Sequence, residues 1–160
     1  MEIAVLSDTH ASNLENLPKE VKEALSRADL IVHAGDYTSK TLLDELQDLG
    51  QFRGVYGNMD SSKIKSELQE VEIIEAGRFK IGVTHPSDGG SPFNMEKRVR
   101  KKFEQIDLII YGHSHWAKTV TVDGITYLNP GSATGRFPAR YKSYAILKIG
   151  EEIDAKIVRL

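Results

Sequence analysis

No cysteine occurs among the 160 residues, which excludes disulfide scaffolds, thiolate zinc sites, iron–sulfur clusters and cysteine nucleophiles. A cysteine-free chain fits a reducing compartment, and the cytoplasm is the expected location. A basic surplus is also missing: 21 Lys and Arg stand against 23 Asp and Glu, a formal net charge of −2. Nucleic-acid-binding modules ordinarily carry excess positive charge, so a polynucleotide is not the expected partner. No apolar run reaches the roughly 18 residues of a membrane span. The segment Met1–Asp8 has neither the basic nor the long apolar region of a signal peptide. Neither a Gly-x-Ser-x-Gly elbow nor a Gly-x-x-x-x-Gly-Lys loop occurs, so serine-hydrolase and P-loop chemistries lack their motifs. The apolar fraction of 40% and charged fraction of 28% are those of an ordinary globular chain. The length predicts a single domain over residues 1–160.

The first half alternates short apolar runs with amphipathic stretches. Residues 3–6, 30–34 and 52–56 read as strands. Between them Leu17, Val21, Leu25 and Ala28 recur at helical spacing, as do Leu42, Leu46 and Leu49 behind Ser39 as N-cap and ahead of Gly50. Strand–helix repeats at this spacing predict parallel pairing with right-handed crossovers. The second half is richer in strand. Gly77-Arg78, Asp123-Gly124 and Gly150 each separate two apolar runs as hairpin turns would. Met95, Val99, Phe103 and Ile106 mark a further helix, and residues 107–111 another strand. About ten strands with three helices is too much strand for one doubly wound sheet, so two packed sheets with helices outside are expected.

The reactive residues fall at the ends of these strands. The first ends at Asp8-Thr9-His10, the second at Gly35-Asp36 and the third at Gly57-Asn58-Met59-Asp60. A fourth ends at Thr84-His85, and the strand 107–111 at Gly112-His113-Ser114-His115. Parallel strands present their carboxyl ends along one edge, where ligands bind. Four of the five histidines therefore gather there with Asp8, Asp36 and Asn58. Each piece alone has an ordinary structural explanation: Asn58–Asp60 is good turn chemistry, and His85 could be a packing histidine. Their joint placement points to a metal site. Nitrogen and oxygen ligands without thiolate suit Mn, Fe, Ni, Co or Zn better than Ca or Mg. His33, inside its strand, reads as a hydrogen-bonded core residue.

Asp8-x-His10, Gly35-Asp36, Gly57-Asn58-x-Asp60, His85 and Gly112-His113-x-His115 resemble the motifs of the calcineurin-like metallophosphoesterases. The small size and Asn129-Pro130-Gly131-Ser132 are similar to the compact prokaryotic phosphodiesterase branch. The resemblance implies a four-layer α-β-β-α sandwich of two mixed sheets. It implies two divalent transition-metal ions, one held by Asp8, His10, Asp36 and His115 and the other by Asp36, Asn58, His85 and His113. Asp36 would bridge them, and the catalytic role would fall to Asp36, Asn58 and His85. The implied reaction is hydrolysis of a small phosphate ester, nucleotide-type esters included, by in-line attack of a hydroxide shared by the two metals. A phosphomonoesterase or nucleotidase is the alternative within the class. A protein-interaction scaffold of the same fold, as in retromer, is the alternative outside it. A homo-oligomer is compatible with the sequence.

Two positions depart from the family pattern. Met59 stands where the family often has a histidine that assists the leaving group, and Pro86 follows His85 where many members have glycine. Four further features have two readings each. Lys97, Arg98, Arg100, Lys101 and Lys102 form a solvated face or an anion-attracting patch. Arg136 and Arg140 are surface residues or phosphate contacts. Tyr37 and Trp116 line a cleft mouth or pack in the interior. Asp60 orients a ligand or serves only its turn.

Overall fold

The computed structural model describes residues 1–160. Its elements in order are β1 (Glu2–Leu6), a single 3-10 turn (Leu14–Asn16), α1 (Lys19–Arg27), β2 (Leu30–Ala34), α2 (Lys40–Asp48), β3 (Phe52–Val55) and α3 (Ser62–Glu67). There follow β4 (Val71–Ala76), β5 (Phe79–Thr84), α4 (Met95–Arg100), β6 (Leu108–Tyr111), β7 (Lys118–Val122), β8 (Ile125–Asn129), β9 (Ser143–Ile149) and β10 (Ile153–Arg159). The strands form two five-stranded sheets, ordered β10-β9-β1-β2-β3 and β4-β5-β6-β8-β7. Parallel ladders join β1, β2 and β3 in one sheet and β5, β6 and β8 in the other. Antiparallel strands complete one edge of the first sheet, through β9 and β10, and both edges of the second, through β4 and β7.

Side-chain alternation builds the layers. In β1, Ile3 and Val5 point into the cluster between the sheets, with Val32, Ile81, Val83, Leu108 and Ile110. Ala4 and Leu6 point the other way, onto Val21 and Leu25 of α1 and Leu42 and Leu46 of α2. On the far side, Ile109 and Tyr111 of β6 meet Met95 and Val99 of α4. The two-residue period of a strand sends alternate residues to opposite faces. A strand covered on both faces must then be apolar throughout, as residues 30–34 nearly are. The result is the expected α-β-β-α sandwich.

Several details differ from the sequence reading. The fourth helix stops at Arg100, so Phe103 and Ile106 lie beyond it, yet both are buried against the same cluster. Leu49 is largely exposed rather than part of the buried face of α2. Ser39 makes no capping bond, and its hydroxyl donates to the Ser12 carbonyl at 2.7 Å. The helix α3 was not expected. Its start is capped by Ser61, which accepts from the Ile64 N–H, but Ile64 is its one buried residue. One apolar residue in six leaves no helical period to read. No helix is long and apolar enough to cross a membrane.

His33 is the core residue expected. It is fully buried, its Nδ1 accepts from the Gly35 N–H at 3.2 Å, and its Nε2 lies 3.1 Å from the Thr9 hydroxyl. The ring stacks on Tyr37 at 3.8 Å. Burial pushes its pKa down to about 3. Below about pH 6.5 the unfolded chain takes up a proton on His33 that the folded protein refuses until about pH 3. Stability therefore falls with falling pH across that window. In metal-free protein, unfolding free energy between pH 6 and 4 is expected to fall by up to about 1.4 kcal/mol per pH unit more in the native sequence than in His33→Gln. Equal slopes in denaturant titrations would show that His33 is not the group responsible.

Candidate metal centre

The carboxyl ends of β1, β2, β3, β5 and β6 deliver all seven expected residues to one place. Oxygen and nitrogen atoms of Asp8, His10, Asp36 and His115 lie within 4.8 Å of one another. Asn58 Oδ1 is 3.1 Å from both His85 Nε2 and His113 Nδ1. The two groups meet at Asp36, whose Oδ2 is 3.8 Å from His10 Nε2 and 3.6 Å from His85 Nε2.

Each carboxylate is oriented by a backbone N–H. Asp36 Oδ1 accepts from the Met59 N–H at 2.8 Å, which turns Oδ2 into the cluster. The His113 N–H is shared between Asp8 Oδ1 and Oδ2 at 3.2 and 3.1 Å, Oδ2 also accepts from the Ser7 hydroxyl at 2.8 Å, and Oδ1 lies 3.3 Å from His115 Nε2. The imidazoles follow the same logic. His85 Nδ1 donates to the Ala34 carbonyl at 2.7 Å, His115 Nδ1 to that of Arg136 at 2.8 Å, and His113 Nε2 to that of Gly90 at 3.0 Å. In a neutral ring the inward nitrogen of each is then a lone pair. Carbonyl partners of this kind fix the tautomer of metal-binding histidines.

The cluster therefore consists of acceptors facing acceptors. His10 Nε2 and His115 Nε2 are 3.3 Å apart, and the Asn58 oxygen faces two ring nitrogens. Only a proton or a metal cation satisfies such a set, and the mixture of imidazole, carboxylate and amide oxygen fits a divalent transition metal. Charge coupling within the cluster is strong. Burial alone would raise the Asp8 pKa, but the hydrogen bond from His115 and the charges of His85 and His115 hold it below the ordinary carboxylate value. Burial would likewise lower His115, and its bond to Asp8 outweighs this and raises it. Burial pulls His10 down.

The backbone that achieves this is strained. Asp8, His10, Asp36, His113 and His115 all have positive φ, between 43° and 83°, a conformation unfavourable for residues with a side chain. The loops are held by neighbours. Asp8 N–H donates to the Gly35 carbonyl at 3.0 Å. The Ser132 hydroxyl donates to the Asp8 carbonyl and that of Thr134 to Thr9, both at 2.7 Å. The amide of Asn129 donates to Ser114 Oγ at 3.0 Å. The Asn129–Ser132 motif is thus a brace between the β1 and β6 exits.

Asp60 combines both its readings. Its carboxylate accepts the N–H groups of Asp36, Gly57 and Thr38 at 2.9, 2.8 and 2.8 Å. It shapes its own turn and, through the backbone, sets the loop of Asp36. Burial raises its pKa, the three N–H bonds notwithstanding. The basic run is only partly a solvated face. Lys97 and Lys101 are exposed, but Arg98 clamps the loop ahead of α4 through Asp88 Oδ1 at 2.9 Å and the Gly89 carbonyl at 2.6 Å. The next carbonyl, that of Gly90, orients His113. Lys102 is bonded to Glu70 at 2.6 Å. Tyr37 is fully buried and lines no cleft. Trp116 is 37% exposed and meets Phe93 edge-on at 5.7 Å.

The cluster opens into a cleft of about 250 Å³ whose lining includes His10, Asp36, Met59, Arg136 and Phe137. Arg136 was not distinguished from a surface residue by sequence. Nothing in the segment 133–140 signals that its backbone turns back over the cluster.

An α-β-β-α sandwich with an Asp/His cluster at the carboxyl ends of strands from both sheets is the architecture of a metallophosphoesterase. The chain belongs to the calcineurin-like phosphoesterase superfamily, whose domain model matches residues 1–152. It is 38% identical over 162 aligned positions to a probable metallophosphoesterase of Methanocaldococcus jannaschii, covering 99% of this chain and 81% of that protein. A second protein of that organism, named a phosphodiesterase, is 28% identical, with 84% and 86% of the two chains covered. Among solved structures, wild-type Vps29 of Entamoeba histolytica complexed with Zn2+ superposes with a TM-score of 0.75 at 26% identity, covering 99% of each chain.

The strand-exit glycines are testable. A Cβ on Gly57 would overlap the Asp36 carboxylate and crowd its backbone N–H. One on Gly112 would overlap the Ser7 hydroxyl and lie 2.7 Å from His85 Nδ1. Gly57→Ala is expected to weaken metal binding at least about tenfold, the scale seen when groups orienting a ligand are disturbed, with little loss of strand content. Calorimetric metal titration with circular dichroism checks this, and undiminished affinity would mean that Asp36 is not a ligand.

Proposed function

We propose that the protein is a phosphodiesterase that works with two divalent transition-metal ions. Asp8, His10, Asp36 and His115 would hold one, and Asp36, Asn58, His85 and His113 the other. The observation that carries this reading is the position of Asp36 Oδ2, turned by the Met59 N–H toward His10 on one side and His85 on the other. Divalent ions held there supply positive charge to a phosphate and make water nucleophilic near neutral pH.

The chain's own residues supply the rest. Asp36 and Asn58 aim their oxygens, and His85, fully buried, cannot swing away because Ala34 holds its Nδ1. Asp8 and Asp36 are the acidic residues among the candidate ligands, so the site with two dications stays net positive and draws anions. Arg136 adds a positive charge at the cleft. Metal and proton thus compete for one set of lone pairs. The diester preference is supported by the similarity to the phosphodiesterase of Methanocaldococcus jannaschii. The metal identity is expected among Mn, Ni, Fe, Co and Zn, and the substrate among small phosphate esters, in a cytoplasmic setting.

Elemental analysis of protein saturated with Mn or Ni at neutral pH is expected to give two ions per chain. The loaded protein is expected to hydrolyse bis-p-nitrophenyl phosphate faster than p-nitrophenyl phosphate. Asp36→Asn should lose more metal and more activity than a change at any ligand of one ion only. One ion or none at saturation overturns the dinuclear reading. Two ions without hydrolysis of any ester would favour the scaffold role instead.

Met59 bears on rate. It is 62% exposed and lines the cleft, and a thioether carries no proton to give. A general acid typically contributes about 10²–10⁴-fold, so esters of weakly acidic alcohols should lag behind aryl esters. Log kcat/KM is expected to fall with leaving-group pKa across a series of aryl and alkyl diesters. Met59→His should flatten that slope. A flat slope in the native protein, with chemistry rate-limiting, would show that another group supplies the proton.

A further inference from the structure

The segment from Arg136 to Arg140 separates two concavities. On one side lies the cleft over the cluster. On the other lies a larger pocket of about 410 Å³, within the range of small-molecule sites, lined by His115, Trp116, Lys118, Arg140, Tyr141 and Arg159 among others. His115 lines both, so the two adjoin across a single candidate ligand. The pocket's walls contain no acidic residue. Lys118 is paired with Glu96 at 2.6 Å, but no carboxylate lies within 4.0 Å of the guanidinium of Arg140 or Arg159. Arg159 lies over the Tyr141 ring at 4.3 Å, which pre-orders its otherwise flexible side chain. Trp116 is held from the other side, its indole N–H donating to the Pro138 carbonyl at 3.3 Å.

Two guanidiniums without a carboxylate partner beside Trp116, held and partly exposed, match one kind of ligand, a flat ring that carries an anion. Guanidinium suits phosphate through paired N–H donors, and an exposed aromatic face stacks on a base regardless of its identity. Resting on the phosphodiesterase reading above, we infer that this pocket is a second substrate subsite that takes a nucleoside phosphate. The preferred diester then joins the phosphate under attack at the cluster to an alcohol that is itself a phosphorylated nucleoside. A simple diester occupies the cleft alone, whereas this one spans both concavities past His115. Arg140 and Arg159 act on specificity and not on the bond broken, so their loss affects the longer substrate only.

Trp116 is the single tryptophan of the chain, so its fluorescence reports on the pocket directly. The metal-loaded full chain is titrated with the methylene phosphonate analogue of thymidine 5′-phosphate, which offers no ester bond to hydrolyse. Inorganic phosphate and thymidine serve as separate arms. The analogue is expected to change the emission saturably and to bind at least about tenfold tighter than either fragment. Arg140→Gln with Arg159→Gln should weaken it by about tenfold or more, the scale of one hydrogen bond to a charged group. The same pair should leave kcat/KM for bis-p-nitrophenyl phosphate unchanged and abolish the preference for pTpT over TpT. Equal affinity in the double variant, or binding no tighter than phosphate alone, overturns the inference. Saturable binding without hydrolysis of any ester would leave the subsite standing and remove the phosphodiesterase reading. Hydrolysis without nucleotide binding would do the reverse.

Discussion

The structure is organised around an electrostatic conflict. Two carboxylates, one amide oxygen and the inward nitrogens of four imidazoles converge with few donors among them. Left without a cation, such a set repels itself or must take up protons, and the mutual pKa shifts of Asp8 and His115 express that coupling. The rest of the fold holds these groups together in spite of the repulsion. Five of the candidate ligands sit in left-handed backbone, at a cost on the order of 1–3 kcal/mol each. A conformation so unfavourable persists only where its surroundings leave no alternative.

Those surroundings are the two sheets and a set of braces. The parallel ladders of β1–β3 and β5–β6 place five chain exits side by side, so no ligand has to come from a long loop. Asp60 locks the β2 and β3 exits to each other through three backbone N–H groups. Ser132 and Thr134 tie the β1 exit to the segment after β8. Arg98 holds the loop whose carbonyl orients His113. The side chains that make these bonds, Asp60, Ser132, Thr134 and Arg98, are not themselves candidate ligands, yet each removes a rotation that would let a lone pair turn away. Rigid support of this kind is what lets binding energy act on the reacting group instead of on ordering the site.

The cleft joins apolar and charged surface. Its lining includes Met59 and Phe137, both exposed, together with Arg136. Past His115 it adjoins the basic pocket that contains Trp116. Each of the two concavities thus offers an exposed aromatic ring, Phe137 in one and Trp116 in the other.

The seven candidate ligands, their grouping at strand exits and the two-sheet sandwich were all legible in the sequence. Ligand residues, strand ends and hairpin turns are local features, and a strand's alternation reports which face it buries. The sharpest tertiary contributions involve residues whose role depends on distant partners. Tyr37 follows Asp36 directly, yet it turns into the core to stack on His33. Arg98 reads as one more charge on a helix until the loop it clamps is seen. The helix α3 has a single buried residue and therefore no period. Arg136 and Arg140 are alike in sequence, but one faces the cleft and the other the neighbouring pocket. By itself the sequence determined which candidate ligands meet at the strand exits, because they are recognised by residue type and short spacing. Only the tertiary structure decided which oxygen of Asp36 faces both halves of the cluster and which charges remain unpaired beside it, because both depend on backbone N–H groups and carboxylates remote along the chain.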